Sequence, residues 1–93
     1  MKILIVDDEE LSLSSVKRVL KWKGIKNVEA CDNGREAVLR IRCENFDIVL
    51  LDLLMPDVDG MQVLESTKPF CPGTEFIILT AVDDIQTTVR AMR

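Results

Sequence analysis

The feature that most constrains this chain is the run Ile48-Val49-Leu50-Leu51, four uninterrupted apolar residues between Asp47 and Asp52. A short unbroken aliphatic run is how a strand buried on both faces of a parallel sheet reads. Asp52 ends the run. Pro56 and Gly60 are then expected to break regular structure, because proline has no N–H to donate and glycine tolerates backbone angles that other residues avoid. In open α/β sheets ligands bind beyond the carboxyl ends of the strands, which makes Asp52 the first candidate for chemistry.

A second run of this kind, Ile3-Leu4-Ile5-Val6, lies in a strand expected over Lys2 to Val6 and ends in Asp7-Asp8-Glu9-Glu10. Leu13, Val16, Val19 and Leu20 recur at helical spacing. Lys17, Arg18, Lys21 and Lys23 crowd toward the end of that helix, where the macrodipole favours positive charge, and Gly24 caps it. A weaker strand over Asn27 to Cys31 leads into an Asp32-Asn33-Gly34 turn, and Ala37, Val38 and Ile41 mark a second helix. After the strand at 47–52, Met61 and Leu64 suit a short helix closed by Pro69 and the Cys71-Pro72-Gly73 turn. Glu75 to Thr80 reads as a fourth strand. Asp83 or Asp84 could cap a last helix carrying Ile85, Val89 and Met92. Strands alternating with helices imply parallel strands joined by right-handed crossovers, an open α/β architecture.

Composition narrows the function classes. A chain of 93 residues, 47% hydrophobic but only 4% aromatic, makes one domain with an aliphatic core. Twelve basic against 16 acidic residues, a net charge of -4, speak against this segment gripping nucleic acid directly. Cys31, Cys43 and Cys71 are odd in number and lack CxxC spacing, so buried free thiols in a reducing cytosol are expected. No apolar run reaches the ~20 residues of a membrane span, and Met1-Lys2 leads straight into a strand rather than a signal peptide. The expectation is a cytoplasmic chain with no membrane partner. Trp22 is expected to be half-buried packing, as are Met55 and Met61 in their loop and helix. No glycine-rich phosphate loop is present, which disfavours ATP as a direct substrate.

If the first and third strands are neighbours, Asp7, Asp8 and Asp52 converge on one sheet edge. Two like charges ~4 Å apart repel by about 4 kcal/mol at an effective dielectric of ~20, so the cluster should hold a proton or bind a cation. Oxygen-only ligands in a chain without histidine favour a hard, partly hydrated ion such as Mg²⁺. Such an ion would also neutralise an incoming phosphoryl group, and an aspartate can attack phosphorus to form an aspartyl-phosphate. The bland alternative is that Asp7 and Asp8 cap a helix and Asp52 merely ends a strand. Thr80, a hydroxyl at the end of another strand on the same edge, adds weight to the chemical reading.

Together, Ile5-Val6-Asp7-Asp8-Glu9-Glu10, the Asp32-Asn33-Gly34 turn, Asp47 through Pro56 with Asp59-Gly60, and Ile78-Leu79-Thr80-Ala81 resemble the receiver domains of two-component response regulators. The resemblance covers the whole chain and implies a flavodoxin-like open parallel sheet with helices on both faces. It further implies Asp52 as phosphoacceptor, Asp8 as a direct Mg²⁺ ligand with Asp7 its water-mediated neighbour, and the Leu54 backbone carbonyl as a further ligand. Thr80 matches the switch residue, and Thr80 with the Ala81 backbone would contact the phosphate. A hydroxyl suits that role because it can donate to a phosphoryl oxygen. Residues 81–93 look most like receivers joined to ATPase-type activators that work with sigma-54 polymerase.

Family members carry a fifth strand and helix, with a lysine that pairs with the phosphoryl group and an aromatic partner for the threonine. This sequence ends before them, which reads as an engineered, proteolytic or natural short form. On that reading the fourth strand becomes an exposed edge, self-association is expected, and phosphotransfer by the isolated segment should be weak. Leu54 and Val82 cannot orient a hydrolytic water, so in a complete domain the aspartyl-phosphate should be long-lived. The leading function is a signalling switch rather than an enzyme. A sensor histidine kinase would donate the phosphoryl group, and an output domain or partner protein would answer it. The alternative is a phosphorylation-independent, receiver-like dimerisation or interaction module. A Mg²⁺-dependent phosphatase is disfavoured, because Leu54 stands where a second aspartate would be needed.

Overall fold

In the computed structural model, residues 1–53, 55 and 58–79 are described. The chain runs β1 (Ile3–Val6), α1 (Glu10–Trp22), β2 (Val28–Cys31), α2 (Gly34–Cys43), β3 (Ile48–Asp52), α3 (Gly60–Thr67), a short 3-10 turn (Lys68–Phe70) and β4 (Glu75–Leu79). All neighbouring strands are parallel, in the order β2-β1-β3-β4, with Val6 opposite Leu51 in the β1–β3 register. This is the flavodoxin-like α/β arrangement that the sequence implied. The expected last helix, together with Leu54, Pro56, Thr80, Ala81 and Val82, lies outside the described residues.

The period-2 geometry of a strand explains why the aliphatic runs are unbroken. Leu4 and Val6 of β1 face α2 and α3 in a cluster with Ala37, Ile41, Val49, Leu51, Val63 and Leu64. Ile3 and Ile5 face the other way, onto Leu13 of α1 and Leu50. Helices therefore cover both faces, and β1 is buried at every position.

Several local expectations change. Val19, grouped above with the buried stripe of α1, is 54% exposed, and Trp22, expected to pack, is 88% exposed. The buried stripe is Leu13, Val16 and Leu20, and at 100° per residue Val19 and Trp22 lie about 120° and 180° around from Leu13. Gly24 follows the helix with φ +87°, the left-handed conformation that favours glycine. Cys31 is buried, Cys43 exposed and Cys71 half-buried, so the expectation of three buried thiols holds only in part. Met55 is buried, and Met61 packs against the larger cluster.

Asp32-Asn33-Gly34, read as a turn, opens α2. Asn33 is the N-cap, its side chain accepting from the Glu36 N–H at 2.8 Å. Gly60, read as a break, is instead the first residue of α3. Asp59 caps that helix, accepting from the Gln62 N–H at 2.9 Å, while the Gln62 side chain accepts from the Asp59 N–H at 3.2 Å.

Candidate metal and phosphoryl site

Asp7 and Asp8 directly follow β1 and Asp52 closes β3, so the parallel β1–β3 register brings all three to the carboxyl edge of the sheet. One carboxylate oxygen from each lies within 4.8 Å of the others. Asp7 is 7% exposed, Asp52 half-buried and Asp8 exposed, a gradient from the core to solvent. The Asp7 N–H donates to the Cys31 carbonyl at 3.1 Å, and its Oδ1 accepts from the Glu9 N–H at 3.0 Å. The capping interpretation is thus true of Asp7 in part: its carboxylate orders the entry to α1 while its other oxygen remains available to the cluster. Beside the cluster an open cleft of about 500 Å³ is lined by Asp8, Glu10, Asp32 and Glu36 together with Ala30 and Cys31.

The seat of Asp52 depends on two glycines. A Cβ at Gly60 would stand 2.4 Å from the Asp52 carbonyl oxygen and 2.6 Å from the Leu53 Cα, so α3 begins directly against the backbone that carries Asp52. Its N–H donates to the Leu53 carbonyl at 3.1 Å. A Cβ at Gly34 would meet the Val58 carbonyl oxygen at 2.2 Å, which packs the start of α2 under the loop after β3. The sequence reading assigned neither glycine this role. Asx residues immediately before both, Asn33 and Asp59, were the available signal for a helix start.

The donor set suits a hard cation. Oxygens on opposite sides of an octahedral Mg²⁺ are separated by twice a bond of ~2.1 Å, close to the observed spread, and the cluster contains neither sulfur nor imidazole. Cys31 lies nearby but is unsuited to join: burial pushes its thiol pKa up, and its Sγ donates to the Asn33 carbonyl at 3.2 Å.

Over residues 3–93 the sequence matches the family described as the response regulator receiver domain. The chain belongs to that family. This receiver domain is 33% identical over 91 residues to the transcriptional regulatory protein ZraR of Klebsiella oxytoca, covering 98% of the present chain but 20% of that relative. It therefore spans about a fifth of the length of that regulator. Among solved structures, a CheY-like response regulator receiver domain protein from Methanospirillum hungatei JF-1 superimposes with a TM-score of 0.81 at 30% identity, covering 97% of this chain and 74% of that one. The CheX-CheY-BeF3-Mg+2 complex from Borrelia burgdorferi gives a TM-score of 0.89 at 26% identity, covering 99% and 70%. Among the described residues no helix is long and apolar enough to cross a membrane.

Proposed function

We propose that this receiver domain is a phosphoacceptor switch, in which Asp52 takes a phosphoryl group from a phosphohistidine on a sensor kinase. The observation that carries the reading is the convergence of the Asp7, Asp8 and Asp52 carboxylates at the ends of two adjacent buried strands. Folding such like charges together is costly unless a cation or a reaction uses them. Asp7, Asp8 and Asp52, with the Leu54 carbonyl, would hold Mg²⁺, which when bound offsets negative charge on the phosphoryl oxygens. A carboxylate oxygen of Asp52 attacks phosphorus, the P–O bond forms, and the P–N bond breaks with its electron pair returning to the imidazole nitrogen. The role of Asp7 is positional: its contact with the Glu9 N–H keeps the carboxylate from swinging away. Thr80 and the Ala81 N–H would then contact the phosphoryl oxygens and report the change to an output domain or partner protein in the cytoplasm. Turnover is not part of this role, since the acceptor is consumed until it hydrolyses. Support for the metal and the site comes from the Borrelia complex, whose relative was crystallised with BeF3 and Mg+2.

The test is beryllofluoride uptake followed by ¹⁹F NMR. Uptake that requires Mg²⁺ and disappears in Asp52→Asn is expected; no uptake by the parent, or equal uptake by the variant, overturns the proposal. A phosphorylation-independent pairing module would bind none. Among the described residues β4 borders the sheet, with Ile77 46% exposed, so sedimentation with and without beryllofluoride also asks whether copies associate and whether the switch controls it.

A further inference from the structure

Helix α1 starts at the carboxyl edge of the sheet and runs antiparallel to the strands. Its last residue, Trp22, therefore lies roughly 18 Å of helix away from Glu10 and from the acidic cluster. At this far end the protein presents Trp22, 88% exposed, beside Val19. Lys17, Arg18, Lys21, Lys23 and Lys26 surround them, all exposed. No acidic residue occurs between Glu10 and Glu29. None of these five cations forms an ion pair among the described residues, whereas Lys2 and Arg40 elsewhere are both paired. Two shallow hollows adjoin here and share Arg18 and Lys21. One, about 560 Å³, is walled by Val19 and Trp22; the other, about 570 Å³, is floored by Ile25 and Val28 and rimmed by Lys17 and Lys26.

An exposed tryptophan framed by unpaired cations is poor surface design for a solitary domain, and tryptophan and arginine are the residues that dominate protein interfaces. We infer that the far half of α1 with the α1–β2 loop is a docking surface for an acidic protein segment, one that seats an apolar side chain against Trp22 and sets carboxylates on Arg18, Lys21 and Lys17. Charge complementarity decides the class of partner. Five of the twelve basic residues are gathered here, leaving seven against sixteen acidic residues over the rest of the chain. A membrane or a nucleic-acid duplex is an extended polyanion and would meet that surrounding acidity across a body of 31 × 29 × 22 Å. A short segment feels only what lies within a Debye length of about 8 Å at physiological salt, which is the basic patch. The inference does not rest on phosphoryl chemistry at Asp52.

Trp22 is the single tryptophan and the chain has no tyrosine, so its emission reports on the patch directly. The probe is a synthetic helical peptide with one leucine stripe and glutamates elsewhere. A lysine-for-glutamate version, phosphatidylserine–phosphatidylcholine vesicles and duplex DNA serve as competing probes. A saturable blue shift with the glutamate peptide is expected. By anisotropy of the labelled peptide, Trp22→Ala and the double variant Lys17→Glu/Lys21→Glu should each weaken binding at least ~10-fold. Asp52→Asn should bind as the parent does, and unchanged melting of the exposed-site variants would show that the fold is intact. Absence of the shift, undiminished binding by the charge-reversed variant, or tighter binding of the lysine peptide, the vesicles or the duplex overturns the inference.

Discussion

The two ends of the sheet handle charge in opposite ways. At the carboxyl edge, β1 and β3 bring three aspartates together. Toward the amino edge, the charges alternate in sign: Lys2 meets Glu29 at 3.6 Å and Glu44 at 2.8 Å, while Arg40 contacts both Glu29 and, at 3.3 Å, Glu44. Arg40 also donates to the Ala30 carbonyl at 3.2 Å, occupying an acceptor on the β2 edge, and the Phe46 ring lies under Lys2 at 4.7 Å and Arg40 at 5.9 Å. One end is a closed network that holds α2 against the sheet. The other accumulates repulsion that only a ligand relieves. The contrast separates charge that stabilises a fold from charge that a fold is made to carry.

Four measurements would sharpen or break that contrast. The largest effect is expected at Gly60→Ala: with a Cβ 2.4 Å from the Asp52 carbonyl oxygen, the start of α3 must shift, costing about 3 kcal/mol in denaturant unfolding and weakening beryllofluoride uptake. A loss below ~0.5 kcal/mol would mean the seat of Asp52 yields easily. Next, Mg²⁺ at a hundred times its Kd should add about 2.7 kcal/mol. Asp8→Asn should lose most of that gain yet, without metal, be up to about 1 kcal/mol more stable than the parent, because one like charge is gone. Destabilisation of metal-free Asp8→Asn would show that repulsion is not the governing term. At the opposite end, Arg40→Ala should cost about 1–2 kcal/mol, modest because its partners are half exposed, and the loss should shrink in high salt.

The smallest effect concerns acid. The Lys2 hydrogen bond, followed by that from Arg40, holds the Glu44 carboxyl below its ordinary value of 4.5. A depressed folded pKa stabilises the protein above the unfolded value, and that contribution is lost as pH falls through the folded one. The melting difference between parent and Glu44→Gln should therefore be present at neutral pH and vanish in acid. A difference that grew on acidification would contradict the pairing.

Legibility from sequence followed the range of the physics. The runs Ile3–Val6 and Ile48–Leu51 announced doubly buried strands because burial on both faces leaves no position for a polar residue. Asp7, Asp8 and Asp52 were legible as candidates because strand ends are the ligand edge of such sheets. Less legible were residues whose role depends on an element distant in sequence. Gly34 looked like a turn residue until its contact with Val58 was seen, and Gly60 like a breaker until α3 was found seated on Asp52 and Leu53. Trp22 looked like packing because a single tryptophan among aliphatics carries no periodicity of its own; only the phase set by Leu13, Val16 and Leu20 turns it outward.

By itself the sequence determined the class of fold, the alternation of strand and helix, and the acidic residues available for chemistry, since those follow from local pattern and from where strands end. Tertiary structure alone decided which oxygens meet. The parallel register placing Val6 opposite Leu51, and the absence of side chains at Gly34 and Gly60, bring Asp7, Asp8 and Asp52 within one ion's reach, because a distance between residues 45 positions apart is a property of packing and not of any segment.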